Sequence, residues 1–287
     1  MKVLVSGCNG FVGSNLTSKL IKLGHEIEGI SKHPFDSDYK VHVLDLRSDS
    51  LQQKIRSNDF DAIVHLAADT NEKDFLNMFR NNVITTLNIL ELARKKAIKK
   101  FVYVSGHNVY SHSTSLPIKE NFATKPLTNY GQSKLLSENL VTYYGYRFNL
   151  TSIILRISFI YGKGQHKTKM ISKLINNYKN DKPISLHKYK NGFQKLDLIH
   201  VCDACDAIVN ALTSKKQFGI YNIASGKPVT IRDILKILQK NTKSNSKITI
   251  KNIEHRTNHF YYDIQQAKKE LNFRSTISLE KGISTLL

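Results

Sequence analysis

The fold is decided by the stretch Lys2-Val3-Leu4-Val5-Ser6-Gly7-Cys8-Asn9-Gly10-Phe11-Val12-Gly13 at the start of the chain. Residues 2–6 form a short apolar run with β-branched side chains, which predicts a buried strand. The glycine-rich segment 7–13 follows at once, and residues 14–23 then show a helical pattern. A strand, a glycine turn and a helix in this order predict a site for the pyrophosphate of a dinucleotide.

The three glycines have separate tasks in this prediction. Gly7 allows the tight turn, Gly10 lets the backbone approach the phosphates, and Gly13 lets the helix pack closely on the strand. Their spacing is G-x-x-G-x-x-G, whereas the usual fingerprint is G-x-G-x-x-G, and the alternative is a packing turn that binds no ligand. The cofactor contacts predicted in this stretch are Gly7, Asn9, Gly10, Phe11, Val12 and Gly13.

A second motif, Tyr130-Gly131-Gln132-Ser133-Lys134, lies near the middle of the chain. On a helix, its first and last residues share one face. A lysine ammonium near a tyrosine hydroxyl favours the phenolate and lowers the tyrosine pKa from about 10. Such a tyrosine can exchange a proton with a substrate near neutral pH. The alternative is a stacked pair on a surface helix, and the glycine turn earlier in the chain favours catalysis.

The composition limits the class of protein. The chain has 287 residues and a formal net charge of +20, and it can bury a sizeable core. We predict neither a transmembrane helix nor a signal peptide, because no run of about 18 apolar residues occurs and the N-terminus enters a strand directly. The lysines are spread along the chain, which favours compositional bias with some steering of anionic ligands over binding of nucleic acid.

The cysteines indicate a reduced, cytoplasmic protein. There are three of them, and they are scattered along the chain, which is not the pattern of a disulfide framework. Cys202 and Cys205 have C-x-x-C spacing, but no second pair of ligands accompanies them. We therefore predict no metal site.

The order of elements predicts an α/β fold. Strands and helices alternate along the first half, as in a parallel sheet that helices cover on both faces. We predict a Rossmann-type, doubly wound parallel sheet with a small C-terminal substrate-binding domain. The dinucleotide-binding domain spans residues 1–162, and residues 193–219 return to it. Residues 163–192 and 220–287 form the smaller domain.

An ordered series of further motifs covers nearly the whole chain. The series is Asp45-Leu46, Val64-His65-Leu66-Ala67-Ala68, Asn82-Val83, Val104-Ser105 to Val109-Tyr110, Leu155-Arg156 to Tyr161-Gly162, Asp197 to Asp203, and Tyr221-Asn222-Ile223. Together with the glycine turn and the Tyr130–Lys134 pentad, the series resembles the extended short-chain dehydrogenases/reductases. Within them it is similar to the NAD-dependent epimerase/dehydratase family, which modifies nucleotide sugars. The resemblance does not specify the reaction.

The resemblance implies cofactor contacts beyond the glycine turn. A pair beside the adenine, a stretch along the nicotinamide half and an asparagine near the active site match the family, and the lysine of the pentad would hold the nicotinamide ribose. The contacts implied in this way are Asp45, Leu46, Leu66, Ala67, Ala68, Asn82, Tyr130 and Lys134.

The end of the second strand bears on which dinucleotide is bound. An acidic residue there, about 20 residues after the glycines, holds the ribose 2′-hydroxyl of NAD. This chain has Ser31 and Lys32. A hydroxyl and a cation suit a 2′-phosphate better than a diol, so we predict NADP(H). NAD stays possible if Asp36 or Asp38 serves the ribose.

The catalytic roles implied by the resemblance include one departure. The family places a Ser or Thr four residues before Tyr110, where this chain has Gly106. We expect Ser105 to replace it and to hydrogen-bond the substrate carbonyl. The nucleotide-sugar 4,6-dehydratases carry an Asp-Glu pair where this chain has His107 and Asn108, which argues against dehydration. The predicted catalytic residues are Tyr130, Lys134 and Ser105.

The implied substrate contacts lie mostly in the second half. The family usually has Arg just before Asp197 to hold the nucleotide diphosphate, whereas this chain has Leu196. Lysines and another arginine could supply that charge. Ser158 followed by Phe159 resembles the dTDP-4-keto-6-deoxysugar reductases. The predicted substrate contacts are His107, Arg156, Ser158, Lys188, Lys195 and Arg256.

These observations predict an NADP(H)-dependent reductase of a nucleotide-activated keto-sugar. A nucleotide-sugar 4-epimerase with tightly bound NAD is the first alternative. A non-catalytic member that senses the cofactor or binds RNA through its basic surface is the second. The expected partners are a nucleotide sugar and, by the resemblance, a second copy of the chain. We expect no membrane partner and no nucleic-acid partner.

Overall fold

The computed structural model describes residues 1–48, 51–57, 59–70, 74–110 and 115–287. Its strands follow the order expected of a doubly wound fold and continue into a second half. In chain order the strands are β1 (Lys2–Ser6), β2 (Glu26–Ser31), β3 (Lys40–Val43), β4 (Ala62–His65), β5 (Lys100–Gly106), β6 (Thr151–Ile157), β7 (Phe159–Tyr161), β8 (Ile184–Tyr189), β9 (Gly192–Phe193), β10 (Leu196–His200), β11 (Phe218–Ile223), β12 (Pro228–Val229) and β13 (Ile248–Ile253).

The helices alternate with the strands of the first half and cover the smaller sheets of the second. In chain order they are α1 (Phe11–Lys22), α2 (Leu51–Lys54), α3 (Phe75–Met78), α4 (Thr85–Lys95), α5 (Asn129–Phe148), α6 (Met170–Lys179), α7 (Val201–Thr213), α8 (Ile231–Asn241), α9 (Gln265–Leu271) and α10 (Leu279–Ser284). A π-helical turn, Phe79–Ile84, joins α3 to α4. Within the described ranges, no helix combines the length and apolar character that crossing a membrane requires.

A seven-stranded parallel sheet forms the centre of the molecule. Its strand order is β11-β6-β5-β4-β1-β2-β3, and every neighbouring pair is parallel. Val3, Leu4 and Val5 of β1 are fully buried, which explains the continuous apolar run, because both faces of a parallel sheet are covered. The strand order reverses between β1 and β4, and ligands of such sheets bind outside the carboxyl ends of the strands at this switch point. The predicted fold class is confirmed.

The chain leaves the main sheet after β6. The continuous apolar pattern of residues 153–160 predicts a single strand, whereas the structure has β6 and then β7, with Ser158 between them. β7 joins a second sheet of order β12-β10-β7, and a third sheet has the order β13-β8-β9. The two small sheets and helices α6, α8 and α10 share a separate core that includes Tyr161, Ile171 and Leu238.

The segment that returns to the first domain is longer than expected. We placed its end at residue 219, but β11 continues in the main sheet to Ile223. Within the same segment, β10 belongs to the second sheet, and α7 packs against α1. The two halves of the molecule are therefore interleaved, and the carboxyl ends of β1, β4, β5 and β6 face the junction.

Candidate active site

The glycine turn has the close packing that its sequence predicts. Gly7 has a φ of +70°, and a Cβ atom on it would lie 2.8 Å from the backbone nitrogen of Ala67. A Cβ atom on Gly13 would lie 2.1 Å from the carbonyl oxygen of Gly7. The first turn of α1 therefore lies against the end of β1, and its free N–H groups face the carboxyl ends of the strands.

Two adjoining cavities cross the carboxyl ends of the strands. The first is about 390 Å³ and lies over β1, β2 and β4. The second is about 490 Å³ and lies between the glycine turn, α5 and the start of α6. They share Gly7, Gly10, Leu66 and Ala68, so they form one groove over the switch point. The predicted cofactor contacts that line this groove are Gly7, Asn9, Gly10, Phe11, Val12, Gly13, Ser31, Lys32, Asp45, Leu46, Leu66, Ala67, Ala68, Tyr130 and Lys134.

Asn82 was predicted to contact the cofactor, but it lines neither cavity. It is buried in the π-helical turn. Its side chain accepts a hydrogen bond from the backbone of Asp69 (2.7 Å) and donates one to the carbonyl oxygen of the same residue (3.0 Å). It also donates to the hydroxyl of Ser133 (2.8 Å). Asn82 therefore fixes the loop after β4, which lines the first cavity, to helix α5.

A buried histidine continues this support beneath the glycine turn. His65 Nδ1 lies 2.5 Å from the hydroxyl of Ser6, and its Nε2 lies 3.1 Å from the hydroxyl of Thr86. Thr86 in turn donates to the backbone oxygen of Asn82 (2.6 Å). Burial lowers the pKa of His65 to about 3, so its ring is neutral at physiological pH. The chain of hydrogen bonds joins the ends of β1 and β4 to α4.

One cation follows β2 and another follows β3, and sequence reasoning missed the second. Lys32 and Arg47 both line the first cavity. Arg47 is paired with Asp45 (Nε to Oδ1, 2.9 Å), and this pairing lowers the pKa of Asp45 to about 2. The only sequence signal for Arg47 is a basic residue two positions after the predicted adenine contact.

Ser31 lines the same cavity but uses its hydroxyl within its own turn. The side chain is buried, donates to the carbonyl oxygen of His33 (2.6 Å) and accepts from the backbone N–H of the same residue (3.2 Å). This is a local serine turn. The hydroxyl that was expected to contact the cofactor is therefore engaged within its own turn, while Lys32 and Arg47 line the same cavity.

Tyr130 and Lys134 lie in the first two turns of α5 and both line the second cavity. Thr128 caps the helix by accepting from the backbone of Gly131 (3.0 Å). Lys134 Nζ donates to the carbonyl oxygen of Val104 (2.6 Å) and lies 4.3 Å from the centre of the Tyr103 ring. Burial lowers the pKa of Lys134 to about 7. The helix thus places Tyr130 and a lysine of lowered pKa at the same cavity.

Two predicted contacts are engaged in a buried ion pair instead. Arg156 was expected to touch the substrate, but it is buried and pairs with Glu138 (Nη2 to Oε2, 2.7 Å). Ser105 lines the second cavity, yet its hydroxyl donates to Glu138 Oε1 (2.5 Å). A buried carboxylate and guanidinium need each other and every available hydrogen bond to offset their desolvation. The hydroxyl proton of Ser105 is therefore already donated to Glu138, and the structure does not support the expected hydrogen bond from Ser105 to a substrate carbonyl.

At Gly106, where the family has a hydroxyl, the structure has room for a side chain. Gly106 has an extended backbone (φ −136°, ψ 162°) that any residue can adopt. A Cβ atom there would lie 3.4 Å from Asn108 Oδ1 and 3.8 Å from Tyr130 Cε1. These are ordinary contact distances, so neither space nor conformation requires glycine at this position.

The far side of the second cavity combines a polar group with an aromatic wall. Ser158 is only 4% exposed, and its hydroxyl has no hydrogen-bond partner among the described residues. A buried hydroxyl without a protein partner in a cavity is available to hydrogen-bond a ligand there. The His107 ring lies 4.0 Å from that of Phe159, centre to centre, and also approaches Tyr262. Burial lowers the pKa of His107 to about 4, so it is neutral and contributes a ring surface rather than an acid.

The cations predicted for the substrate lie elsewhere. Lys188, Lys195 and Arg256 are exposed and line neither of the two cavities. Lys195 and Arg256 both act on His259, where burial and their charges lower the pKa of the imidazole. Besides Lys134, the second cavity contains Lys169, directly before α6, and sequence reasoning missed Lys169 because it belongs to no recognisable motif.

Comparison with known proteins identifies the family. The NAD dependent epimerase/dehydratase family matches residues 3–224. The chain belongs to this family. It is thus an NAD(P)-dependent enzyme of the epimerase/dehydratase group, as the glycine turn and the Tyr130–Lys134 pentad predicted.

Relatives of this epimerase/dehydratase chain differ in reaction. A Methanocaldococcus jannaschii protein with the provisional name UDP-glucose 4-epimerase is 30% identical over 99% of this chain and 97% of its own length. The dTDP-4-dehydro-6-deoxyglucose reductase of Escherichia coli is 27% identical over 99% of this chain and 96% of its own length. The crystal structure of UDP-glucuronic acid 4-epimerase from Bacillus cereus in complex with NAD is 28% identical, has a TM-score of 0.86, and covers 99% of this chain and 94% of that one.

Proposed function

We propose that this enzyme is an NADP(H)-dependent reductase of a nucleotide-activated keto-sugar. The observation that carries the proposal is the charge after β2 and β3, where Lys32 and Arg47 line the first cavity. The carboxylates among the described lining residues are already held, Asp45 by Arg47 and Asp69 by Asn81. A ribose 2′-phosphate suits such a site, whereas the diol of NAD is normally held by a free carboxylate. A cofactor of this kind exchanges with solution and serves net reduction.

The groove fits a dinucleotide that spans both cavities. The glycine turn and the N-terminus of α1 offer backbone N–H groups to the pyrophosphate. Lys134 and the orphan hydroxyl of Ser158 stand in the second cavity, where the nicotinamide end would lie. Lys169, in the same cavity, offers a cation for the diphosphate of the sugar nucleotide. The aromatic wall around His107 offers an apolar surface for the sugar or base.

The residues of the second cavity can complete a reduction. The cofactor, when bound, supplies a hydride to the keto carbon. Tyr130 donates its phenolic proton to the keto oxygen as that oxygen becomes a hydroxyl. Lys134 stabilises the resulting phenolate by its charge until a proton from solvent restores the tyrosine. Asp69 and Asn82 hold the loop that carries the groove wall, so the reacting groups stay in register.

Cofactor preference tests the first part of this proposal. We expect NADPH to bind more tightly than NADH, with Lys32→Ala and Arg47→Ala each weakening NADPH about tenfold, because each removes a charge-assisted contact to a 2′-phosphate. NADH affinity should change little. Lys236→Ala, at an exposed lysine of α8, is the matched control. Titration by fluorescence measures the affinities, and equal affinity for the two cofactors in the wild type would contradict the proposal.

Turnover tests the second part. With NADPH and a panel of dTDP- and UDP-activated 4-keto-sugars, the wild type should oxidise NADPH and yield the alcohol. Tyr130→Phe should bind NADPH as the wild type does and lose at least about a hundredfold in kcat, because the proton donor is gone. Absorbance at the reduced-nicotinamide band follows the reaction. Retained turnover in Tyr130→Phe would contradict the assignment of Tyr130 as the proton donor.

A 4-epimerase is the second candidate function, and the relatives are the observation that favours it. The Methanocaldococcus jannaschii protein and the Bacillus cereus structure both carry the name of a 4-epimerase, and the latter contains NAD. An epimerase would retain its NAD, so the nucleotide released from the denatured protein distinguishes the two candidates. Stoichiometric NAD, with interconversion of UDP-sugars and no net oxidation of NADPH, would establish the epimerase.

A further inference from the structure

The proposed reduction needs a hydrogen-bond donor on the keto oxygen besides Tyr130. The expected donor, Ser105, gives its proton to Glu138. Gly106 has no side chain where relatives in the family have a hydroxyl. His107 is held by ring contacts with Phe159, 4.0 Å away between centres. The group that would polarise the carbonyl must therefore come from another residue.

Asn108 stands beside the place that the missing hydroxyl would occupy. Its Oδ1 atom lies 3.4 Å from the point where a Cβ atom of residue 106 would be, and Tyr130 Cε1 lies 3.8 Å from that same point. Asn108 and Tyr130 both line the second cavity. The side chain of Asn108 is half-buried. The amide of Asn108 and the phenol ring of Tyr130 therefore both lie next to the space beside residue 106.

The amide of Asn108 is free to serve a ligand. Within the described ranges its side chain forms no hydrogen bond with another residue, whereas the hydroxyl of Ser105 is engaged by Glu138. Half-turn rotation about the last side-chain torsion exchanges the oxygen and nitrogen ends, and an amide presents two N–H donors. The backbone of Asn108 is fixed at the same time, because its carbonyl oxygen packs against Gly131 at the start of α5.

We propose that Asn108 is a catalytic residue whose side-chain N–H hydrogen-bonds the keto oxygen in place of the serine or threonine hydroxyl of the family. This inference rests on the proposed function. As hydride reaches the carbon, negative charge grows on the oxygen, and a fixed donor at that point stabilises the transition state more than the ground state. Asn108 holds the oxygen and transfers no proton. Tyr130 remains the proton donor.

Truncation and relocation of the donor test the inference. Asn108→Ala should lower kcat about a hundredfold, as loss of one donor to a developing oxyanion does, while KM and NADPH affinity change less than about twofold. Adding Gly106→Ser to Asn108→Ala should recover at least about tenfold in kcat, because the structure leaves room for a hydroxyl beside Tyr130. Gly106→Ala in the same background is the matched control, since it adds a methyl group without a donor.

The outcomes separate the inference from the function on which it rests. Wild-type turnover with loss in Asn108→Ala and rescue by Gly106→Ser, but not by Gly106→Ala, supports both. Wild-type turnover with kcat of Asn108→Ala within about twofold overturns the role of Asn108 and leaves the reductase standing. Equal rescue by Gly106→Ser and Gly106→Ala shows a packing effect and also overturns it. A wild type inactive on every keto-sugar removes the proposed function and this inference together. If Asn108→Ala does not fold, Asn108→Leu, which has a similar shape and no donor, keeps the same comparisons.

Discussion

At the scale of single residues, Lys134 shows how burial prepares a site for an anion. Lys134 is 2% exposed, and its ammonium donates to one carbonyl oxygen and lies over a tyrosine ring. Burial lowers the pKa of Lys134 to about 7, although Glu138 opposes the shift. The group therefore gives up its proton far more readily than an exposed lysine, whose pKa is about 10.4.

Proton uptake on cofactor binding follows from this pKa. At pH 8 a group with a pKa near 7 is about one-tenth protonated, and the negative charge of a bound dinucleotide raises its pKa. Binding of NADPH at pH 8 should therefore take up close to one proton, and Lys134→Met should abolish this uptake. Calorimetry in two buffers of different ionisation enthalpy measures it. Equal uptake in the wild type and in Lys134→Met would contradict the assignment.

The residue scale also shows where sequence reasoning stops. The glycines, Tyr130 and Lys134 were recognised because each belongs to a local spacing with a physical purpose. Ser105 and Arg156 were assigned to the substrate because they flank such motifs, yet both contact Glu138, which lies 33 and 18 residues away along the chain. No local pattern reveals which buried polar group finds a partner at that distance.

At the scale of elements, the contact between α1 and the glycine turn positions the groove. A Cβ atom on Gly13 would meet backbone atoms of Gly7 and Cys8 at 2.1 and 2.9 Å, and backbone cannot yield as a flexible side chain can. The strand, turn and helix therefore form one rigid unit. Gly145 in α5 is different, since its nearest neighbours would be 3.4–3.6 Å away.

Gly13 and Gly145, both in helices, thus form a matched pair for measuring the free energy of unfolding of alanine variants. Gly13→Ala should lower the free energy of unfolding by about 1–3 kcal/mol through overpacking and weaken cofactor binding. Gly145→Ala should raise the free energy of unfolding by about 0.5–1 kcal/mol, because alanine favours the helix and the site has room. Urea denaturation measures both. A Gly13→Ala protein as stable as the wild type would show that α1 can move away from the turn.

Elements were predicted better in the first half than in the second. The alternation of strands and helices indicated the parallel sheet, and the structure confirms it. The strand over residues 153–160 was predicted as one because its apolar pattern is continuous, but the chain changes sheets at Ser158. That break depends on pairing of β7 with β10, some 40 residues later, and periodicity alone does not show it.

At the scale of the whole molecule, the protein has a formal net charge of +20, and its groove would bind anionic ligands. Exposed charges act over about 8–10 Å at physiological salt. Lys188, Lys195 and Arg256 do not line the two cavities, but as exposed cations they add to this field. The placement of Lys188 and Arg256 could not be predicted, since it depends on how β13 pairs with β8.

Salt should therefore slow the capture of cofactor. Raising NaCl from about 20 to about 200 mM should reduce the association rate of NADPH by about tenfold, while the dissociation rate changes less, because steering acts on the encounter. Stopped-flow fluorescence measures both rates. The Lys32→Ala/Arg47→Ala double variant should keep most of this dependence, since the field comes from the whole surface. An association rate that does not vary with salt would contradict steering.

The π-helical turn between α3 and α4 also changes the phase of the helix that it interrupts. Such a turn closes its hydrogen bonds over one residue more than an α-helical turn, so residues 75–78 and 85–95 do not continue one helical wheel. In effect the turn contains one residue more than an α-helical turn would, and the resulting change of direction is spread over several successive side chains. Asn81 and Asn82, although adjacent in sequence, both reach Asp69. Removing one residue here would leave an unbroken helix whose preceding turn faces a different neighbour.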